Sequence, residues 1–274
     1  MTPQPPRDPP TIAVVFLLRS LDAGWREHAA RFLRSYKTFD AGLGHGLHVA
    51  LKGFEDAESQ AEAAAIFAGV AHRALVVPEL GRDIGAYLWV SRALSESRVC
   101  FLNSHTQILA SSWLRKLSDN LDRPAVGMVG ATASFESLRP LNADFPAFPN
   151  PHMRTNGFML DMALFRKITA DVVIESRHDA FLFESGQLSM TNRVLNLNLA
   201  VLVVGRNGRG YDVAWWPWSE GFRQGEQGNL LIGDNQTRHF DLLQRPEKEL
   251  LARQTWGGFR SRAALPNRSK ILKP

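Results

Sequence analysis

The sequence predicts an α/β fold built on a doubly wound sheet. Apolar runs of strand length alternate with segments of helical period five times between residues 11 and 130. The runs are apolar at nearly every position, which is typical of parallel strands buried on both faces. This alternation predicts helices on both faces of one sheet and ligands at the carboxyl ends of its strands.

The first half of the chain supplies the strands and helices of this sheet in turn. Strands are predicted at residues 11–18, 47–51, 73–77, 99–102 and 126–129. Helices are predicted between them because apolar residues recur every three or four positions, as at Trp25, Ala29 and Leu33. The third helix is expected to begin at Asp83, whose carboxylate suits an N-cap.

The rhythm changes after Gly130. Residues 131–155 are rich in Pro and Asn and have no clear period, which predicts a long functional loop. A strand at 157–160, a short helix, an acidic and aromatic segment around Glu184 and a strand at 200–204 are expected next. We interpret this half as an elaboration of the same domain, since no repeat links it to the first half.

The ends of the chain differ in composition from its centre. Residues 1–10 contain five prolines and predict a disordered leader, and residues 11–244 form the predicted domain. Residues 245–274 contain eight Lys or Arg and two Glu, a formal charge of +6 in a chain whose formal net charge is +5, and predict a basic tail. Such a tail is either simply solvated or makes peripheral contact with an anionic membrane.

Composition narrows the class of protein. No apolar stretch approaches the roughly 20 residues that span a bilayer. Cys100 is the single cysteine, so a disulfide framework is excluded and a cytoplasmic location is expected. The sequence has no zinc-finger or RNP motif, so nucleic acid is not an expected partner.

Three segments, in order, resemble the family-2-type glycosyltransferases, most closely the branch found in rhamnan and other bacterial polysaccharide synthesis. Residues 79–87 read Glu-Leu-Gly-Arg-Asp-Ile-Gly-Ala-Tyr, similar to that branch's Asn-x-Gly-Arg-Asp-Ile-Gly. Residues 101–106 stand where these enzymes carry Asp-x-Asp. The third segment runs through residues 154–158, 183–186 and 233–239. The resemblance implies a GT-A-like fold, a doubly wound mixed sheet with a Rossmann-like nucleotide-binding half and an acceptor-side half.

The implied activity is transfer of a sugar from a nucleotide diphosphate sugar to a glycan or lipid-linked acceptor. Gly81 lets the backbone approach a ligand, Arg82 can reach phosphate, and Asp83 can accept hydrogen bonds from a nucleoside. Their alternative roles are a tight turn, a surface cation and a helix cap. The full set of expected nucleotide-sugar contacts is Gly81, Arg82, Asp83, Asn103, Arg154, Asn156 and Arg238.

Neutral side chains, Asn103 and His105, occupy the position of the two metal-binding carboxylates. Three arrangements are compatible with this exchange. His105, with Asn103 and His239, binds a divalent metal, and imidazole favours Mn²⁺ over Mg²⁺. Alternatively, Arg82 and Arg238 neutralise the diphosphate without metal. In the third arrangement the site is inactive, and the protein binds ligands without transferring sugar.

Glu184 is the expected general base of an inverting transfer. Its aromatic neighbours, Phe181 and Phe183, are expected to desolvate the carboxylate and raise its pKa. Asp179 is the second candidate. The acceptor is expected on an aromatic patch formed by Trp215, Trp216 and Trp218, unless these tryptophans form a packed sub-core.

The sequence lacks the motifs of two other enzyme classes. The residues after the first strand contain neither a Gly-rich phosphate loop with Lys, which a nucleotidyltransferase needs, nor the Gly-x-Gly-x-x-Gly of an NAD-dependent oxidoreductase.

Overall fold

One mixed sheet organises the protein. The computed structural model describes residues 10–258, and eight strands of that range lie side by side in this sheet. In spatial order they are β11 (Gly210–Tyr211), β10 (Ala200–Val204), β6 (Val126–Gly130), β9 (Phe158–Asp161), β4 (Arg98–Leu102), β1 (Ile12–Arg19), β2 (Gly46–Lys52) and β3 (Arg73–Val77). Most neighbours are parallel, whereas β9 is antiparallel to both β4 and β6 and β11 is antiparallel to β10. The predicted α/β class with a mixed sheet is therefore confirmed.

Shorter elements complete the described chain. The two small antiparallel sheets pair β5 (Gln107–Ile108) with β12 (Ile232–Gly233), and β7 (Ala133–Ser134) with β8 (His152–Met153). The helices are α1 (Trp25–Thr38), α2 (Ala57–Ile66), α3 (Arg82–Ala93), α4 (Trp113–Leu121), α5 (Met162–Ile168), α6 (Arg177–Ser185), α7 (Met190–Leu195), α8 (Asn235–Leu242) and α9 (Arg245–Trp256). Residues Val213–Trp218 form a 3₁₀ helix.

Two apolar cores cover the two faces of the sheet. Along β1, alternate side chains point to opposite faces, so Val15 and Leu17 enter one core while Val14 and Phe16 enter the other. Helices α1 and α4 pack on the second core, and α3, α5, α6 and α7 pack on the first. This double covering explains why β1 is apolar throughout instead of alternating with polar residues.

The antiparallel strand β9 is the feature that local sequence patterns do not reveal. A strand at 157–160 is predicted, but its place between β4 and β6 depends on contacts distant in sequence. Because β9 runs against its neighbours, its amino end lies at the edge where β4 ends. The Oγ1 of Thr106, after β4, accordingly donates to the backbone oxygen of Asn156, just before β9, at 2.9 Å.

Two boundaries differ from the sequence-based expectations. Helix α3 begins at Arg82 with Gly81 as its N-cap, so Asp83 lies inside the first turn and its carboxylate is not used as the cap. Residues 245–256, expected in a tail, instead form α9, because Trp256 and Ala252 are buried against the body of the protein. Residues 1–9 and 259–274 lie outside the described residues. Among the described helices, none has the length and apolarity that crossing a membrane requires.

Candidate functional site

A cavity of about 280 Å³ lies at the carboxyl edge of the parallel strands. We call it the donor-side cavity. Its walls come from the loop after β1, the start of α3, the turn after β4, the segment before β9, and helices α6 and α8. The polar residues that line it are Arg19, Asp22, Arg82, Asp83, Asn103, Ser104, His105, Arg154, Thr155, Glu184, Asp234, Asn235 and Gln236. Arg82 and Asp83, from the turn after β3, and Asn103 and His105, from the turn after β4, thus line one cavity.

The Gly81-Arg82-Asp83 turn is held by a buried cation. Gly81 has a φ of 61°, and a Cβ there would lie 2.2 Å from Ile174, so only glycine fits. The ammonium of Lys52, at the end of β2, donates to the backbone oxygens of Leu80 and Arg82. Lys52 is fully buried, and this burial lowers the pKa of its ammonium. Lys52 therefore fixes the turn that brings Arg82 and Asp83 to the cavity.

Hydrogen bonds within the turn after β4 hold the backbone of His105 in place. The Oδ1 of Asn103 accepts from the backbone N–H of His105 at 3.1 Å and from Oγ1 of Thr106 at 3.2 Å. The side-chain oxygen of Asn103, the atom that would bind a metal, is thus already an acceptor of hydrogen bonds within the turn. From α8, the Nη1 of Arg238 donates to the backbone oxygen of His105 at 3.1 Å and supports the same turn.

His105 meets two residues that the sequence does not single out. Within the described residues, Asp22, His28 and His105 form a group whose potential metal-ligating atoms all lie within 4.8 Å of one another. The Nε2 of His105 is 3.9 Å from Oδ2 of Asp22, and the rings of His28 and His105 are 4.3 Å apart. Each of the two histidines buries an Nδ1 that has no hydrogen-bond partner in residues 10–258.

Neighbours orient the carboxylate of Asp22 within this cluster. Its Oδ1 accepts from Arg19 at 3.2 Å, and its Oδ2 accepts from the hydroxyl of Ser104. Burial lowers the pKa of His28, which keeps its imidazole neutral and a competent metal ligand. His239, expected in the metal site, is exposed on α8 and is not in this cluster.

Glu184 lies where the donor-side cavity meets a second one. The carboxylate lines both cavities, and burial raises its pKa to about 7 against the opposing pull of Arg154. A raised pKa is what the sequence predicts from the flanking phenylalanines: Phe181 lines both cavities and Phe183 is buried. A carboxylate with a pKa near 7 can both hold and release a proton at neutral pH.

Arg154 and Asn156 reach the site in different ways. The Nη2 of Arg154 donates to Oδ2 of the buried Asp234 at 2.9 Å, while its Nη1 is buried without a partner in the described residues. Arg154 lines both cavities beside Glu184. Asn156 is buried, accepts from the hydroxyl of Thr132 and lines neither cavity, so it supports the loop before β9.

Asp179, the second candidate base, belongs to a helix cap. Its Oδ2 accepts from the backbone N–H groups of Glu175 and Ser176 at 3.0 and 2.8 Å, and from the Ser176 hydroxyl at 2.8 Å. These bonds, led by that of the Ser176 hydroxyl, hold the pKa of Asp179 below its ordinary value. Asp179 lines neither cavity.

The second cavity, which we call the acceptor-side cavity, has a volume of about 940 Å³. Its wall includes residues 136–141 from the predicted functional loop, together with Phe148, Phe222 and Arg223. It shares Arg154, Phe181, Glu184 and Gln236 with the donor-side cavity. The two cavities therefore share part of their lining, which includes Glu184.

The tryptophans that the sequence suggests as an acceptor platform lie elsewhere. Trp216 is fully buried in the core and donates its Nε1–H to the backbone oxygen of Tyr211. Trp215 is 42% exposed and packs edge-on against Trp218. Trp218 borders a separate cavity, and none of the three lines a cavity that contains Glu184.

Sequence reasoning misses Asp22, His28, Lys52 and Asp234 as site residues. A weak signal exists for Asp22, since it follows the first strand closely, and for Asp234, since it begins a helix. His28 carries no signal, because a histidine on an amphipathic helix is common and its proximity to His105 depends on the folded chain.

No protein-family model matches the sequence, and no curated protein matches it. The chain is similar in fold to mouse xyloside xylosyltransferase 1 in its apo form, with a TM-score of 0.47 and 12% identity over 83% of this chain and 99% of that one. It is similar to glucosyl-3-phosphoglycerate synthase from Mycobacterium tuberculosis, in complex with Mn²⁺, uridine diphosphate and phosphoglyceric acid (TM-score 0.39, 17% identity, 56% of each chain).

A third similar structure is a mannosyltransferase from Pyrobaculum calidifontis in complex with GDP-Man and Mn²⁺. Its TM-score is 0.38 and its identity 14%, over 65% of this chain and 53% of that one. This chain thus spans nearly all of the first of these proteins and a little over half of the other two.

Proposed function

We propose that the protein is a glycosyltransferase that moves a sugar from a nucleotide diphosphate sugar to an acceptor hydroxyl. The observation that carries this proposal is the position of Glu184. A carboxylate with a pKa of about 7 stands between a small, charged cavity at the carboxyl ends of the strands and a larger, more open one. A transferase that works by inverting displacement needs a base where its donor meets its acceptor.

The donor-side cavity has the groups that a nucleotide diphosphate requires. Asp83 can accept hydrogen bonds from the ribose or the base, and Arg82 and Arg154 can neutralise phosphate oxygens. The buried Nη1 of Arg154 has no partner in residues 10–258, so it can donate to a ligand without losing an existing bond. Helix α8 also directs its amino end, at Asn235, toward this cavity.

The cluster of Asp22, His28 and His105 fits a divalent metal ion. Both histidines have a buried ring nitrogen without a partner, and the one carboxylate is oriented by Ser104 and Arg19. Two imidazoles and one carboxylate favour a transition metal such as Mn²⁺ over Mg²⁺, which prefers oxygen ligands. When bound, the ion would supply positive charge for the departing diphosphate.

The chemistry assigned to the chain's own residues is a direct displacement. Glu184 takes the proton of the acceptor hydroxyl while that oxygen forms a bond to the anomeric carbon of the sugar. The bond from this carbon to the diphosphate oxygen breaks at the same time, and Arg82 and Arg154 stabilise the leaving charge. Such a displacement inverts the anomeric carbon, because the base and the leaving group lie on opposite sides of it.

The finer assignment follows the sequence resemblance. Residues 79–87 and 233–239 support a place in bacterial polysaccharide synthesis, with a glycan or lipid-linked acceptor. In the structure, the first of these segments forms the turn held by Lys52, and the second contains Asp234, which pairs with Arg154. Both segments therefore lie at the cavity assigned to the donor.

Calorimetric titration with nucleoside diphosphates tests the proposal. We expect at least one of UDP, GDP and dTDP to bind in the presence of Mn²⁺, and Asp83→Ala to weaken that binding on the order of tenfold. Asp119→Ala, on α4 and outside both cavities, is the control and should bind as wild type does.

The outcomes separate the two functional classes. If no nucleoside diphosphate binds, the glycosyltransferase proposal fails. If one binds but no nucleotide sugar is ever consumed, the chain is a binding or accessory protein that keeps the fold and lacks transfer. Departure from Asp-x-Asp at Asn103 and His105 is the observation that makes this second class worth testing.

A further inference from the structure

The acceptor-side cavity combines three kinds of surface that few ligands match at once. Its lining includes Glu184, which also lines the donor-side cavity, a group of apolar side chains, and three arginines. Arg154, Phe181, Glu184 and Gln236 are shared with the donor-side cavity. The apolar group and the arginines Arg139 and Arg223 are not, so they are free of the role assigned to the donor.

The apolar part lies at the mouth of the cavity. Leu141 is 84% exposed and Phe148 is 43% exposed, and both line the cavity with Leu138, Pro140 and Phe222. Water-exposed apolar side chains that converge on a cavity are typical of a binding surface. A ligand with an apolar group of matching size would cover them.

The loop that carries these side chains is internally bonded. The Ser137 hydroxyl donates to the backbone oxygen of Pro146, and the backbone N–H of Leu141 donates to the oxygen of Leu138. Phe145 is buried beneath the loop and packs edge-on against His178. Leu141 and Phe148 are therefore exposed on a loop that has its own packing and hydrogen bonds.

The charged part of the cavity is positive. Arg223 pairs with Glu136 at 2.9 Å, and Arg154 pairs with Asp234 at 2.9 Å. Arg139 donates to the backbone oxygen of Phe145 at 3.4 Å, and no carboxylate of residues 10–258 forms an ion pair with it. This leaves Arg139 as an uncompensated cation beside the apolar wall.

Histidine 152 adds an acceptor for a hydroxyl. Its Nδ1 lies 2.8 Å from the backbone oxygen of Asn150, which can only accept, so Nδ1 carries the proton and Nε2 has the free lone pair. Burial lowers the pKa of His152 and keeps the ring neutral. The ring lines the acceptor-side cavity together with Glu184.

We propose that the acceptor-side cavity binds an amphipathic anion, a molecule in which an apolar group lies next to a phosphate or carboxylate group. Arg139 meets the anionic group, and Leu141 and Phe148 cover the apolar group. The name acceptor rests on the proposed function, because only a transferase would pass a sugar to this ligand. The binding itself depends on the cavity alone.

Titration of the full chain with octyl phosphate, below its micellar concentration, tests the inference. We expect Arg139→Gln to raise the dissociation constant on the order of fivefold or more, and Leu141→Ser about threefold. Both side chains are exposed, so neither change should disturb the fold. The matched controls are Arg92→Gln and Leu188→Ser, which are also exposed, line neither cavity and should leave binding unchanged.

Two further ligands separate the contributions. Inorganic phosphate carries the charge without the chain, and octyl glucoside carries the chain without the charge. Each should bind on the order of tenfold more weakly than octyl phosphate. Equal binding of either one, no binding of octyl phosphate, or equal affinity in all variants would overturn the inference.

The same samples are titrated with UDP, GDP and dTDP. Octyl phosphate binding that follows the expected pattern while no nucleotide binds would mean that the proposed function fails and the cavity assignment stands. If a nucleotide binds but octyl phosphate does not bind with the expected differences among the variants, the cavity assignment fails and the proposed function stands.

Discussion

At the scale of single residues, the chemistry depends on where Glu184 lies more than on its being acidic. Asp179 is only five positions away, yet its carboxylate accepts three hydrogen bonds in a helix cap, which lower its pKa. Glu184 is on the same helix, and burial raises its pKa to about 7. Two acids of one helix are thus driven in opposite directions by their surroundings, and only the second is suited to accept a proton near neutral pH.

Glu184→Gln should abolish the base and keep the shape of the side chain. We expect the transfer rate to fall on the order of a hundredfold or more, while nucleotide binding stays near that of wild type. The rate of the wild type should rise with pH through about 7 and then level off, because the base works only when ionised. Initial rates measured across pH check both points.

Asp179→Asn is the control for Glu184→Gln and should keep most of the wild-type rate, since Asp179 lines neither cavity. A Glu184→Gln variant that transfers sugar at the normal rate would place the base elsewhere and would also bring the inverting displacement into question.

The metal-binding hypothesis moves to a different set of residues in the folded chain. The sequence suggests His105 with Asn103 and His239, whereas the structure brings His105 to Asp22 and His28. The amide oxygen of Asn103 accepts hydrogen bonds within the turn, and His239 lies exposed on α8. His105 remains a candidate metal ligand, as the sequence suggests, but the other two candidate ligands are different residues.

Manganese binding distinguishes these two sets. His28→Gln and His105→Gln should each weaken Mn²⁺ binding on the order of tenfold or more, because each removes one ligand, and Mg²⁺ should bind more weakly than Mn²⁺ to the wild type. His239→Gln is the matched control and should leave affinity unchanged. Electron paramagnetic resonance counts free Mn²⁺ directly, and loss of binding in His239→Gln alone would restore the original set.

At the scale of helices and strands, the sequence predicts what depends on local pattern. The apolar runs place β1, β2, β3, β4 and β6 within one or two residues of their observed bounds. The position of β9 between β4 and β6 is set by pairing with residues more than 25 positions away, which no local period encodes. That pairing brings the loop of Arg154 to the cavity that His105 also lines, so which of the predicted residues meet in one site depends on long-range topology.

Helix α9 is a case in which composition predicts the wrong structure. Its Lys and Arg residues suggest a solvated tail, but Trp256 is 1% exposed, packs on Phe135 at 5.3 Å and donates to the backbone oxygen of Phe222 at 2.9 Å. Charged residues on one side of a helix are compatible with a single large anchor on the other. Gln254 of the same helix lines the acceptor-side cavity.

Trp256→Ala should therefore lower the free energy of unfolding by about 3–5 kcal/mol, the usual cost of removing a buried indole. Trp215→Ala, at a side chain that is 42% exposed, is the matched control and should cost less than about 1 kcal/mol. Denaturation in urea, followed by circular dichroism, gives both values. Equal stability of the two variants would mean that α9 does not contribute to the core.

At the scale of the whole molecule, the charge is divided between a neutral body and a basic end. Residues 259–274 contain five Lys or Arg and no acidic residue, and residues 1–9 contain one Arg and one Asp. Since the whole chain has a formal net charge of +5, residues 10–258 are formally neutral. Any long-range attraction to an anionic surface must therefore come mainly from the last sixteen residues, which lie outside the described structure.

Deleting residues 259–274 should abolish attachment to anionic membranes and leave sugar transfer to a soluble acceptor intact. Five basic residues near a surface contribute about 1 kcal/mol each at low salt, and this attraction weakens as salt screens it. Co-sedimentation with phosphatidylserine vesicles at low and high salt measures the effect, and phosphatidylcholine vesicles are the neutral control. A full-length variant with Gln at Arg260, Arg262, Arg268, Lys270 and Lys273 separates charge from length. If this variant and the wild type bind anionic vesicles equally at low salt, charge in this segment does not recruit the protein, and a lipid-linked acceptor would have to be reached by the acceptor-side cavity alone.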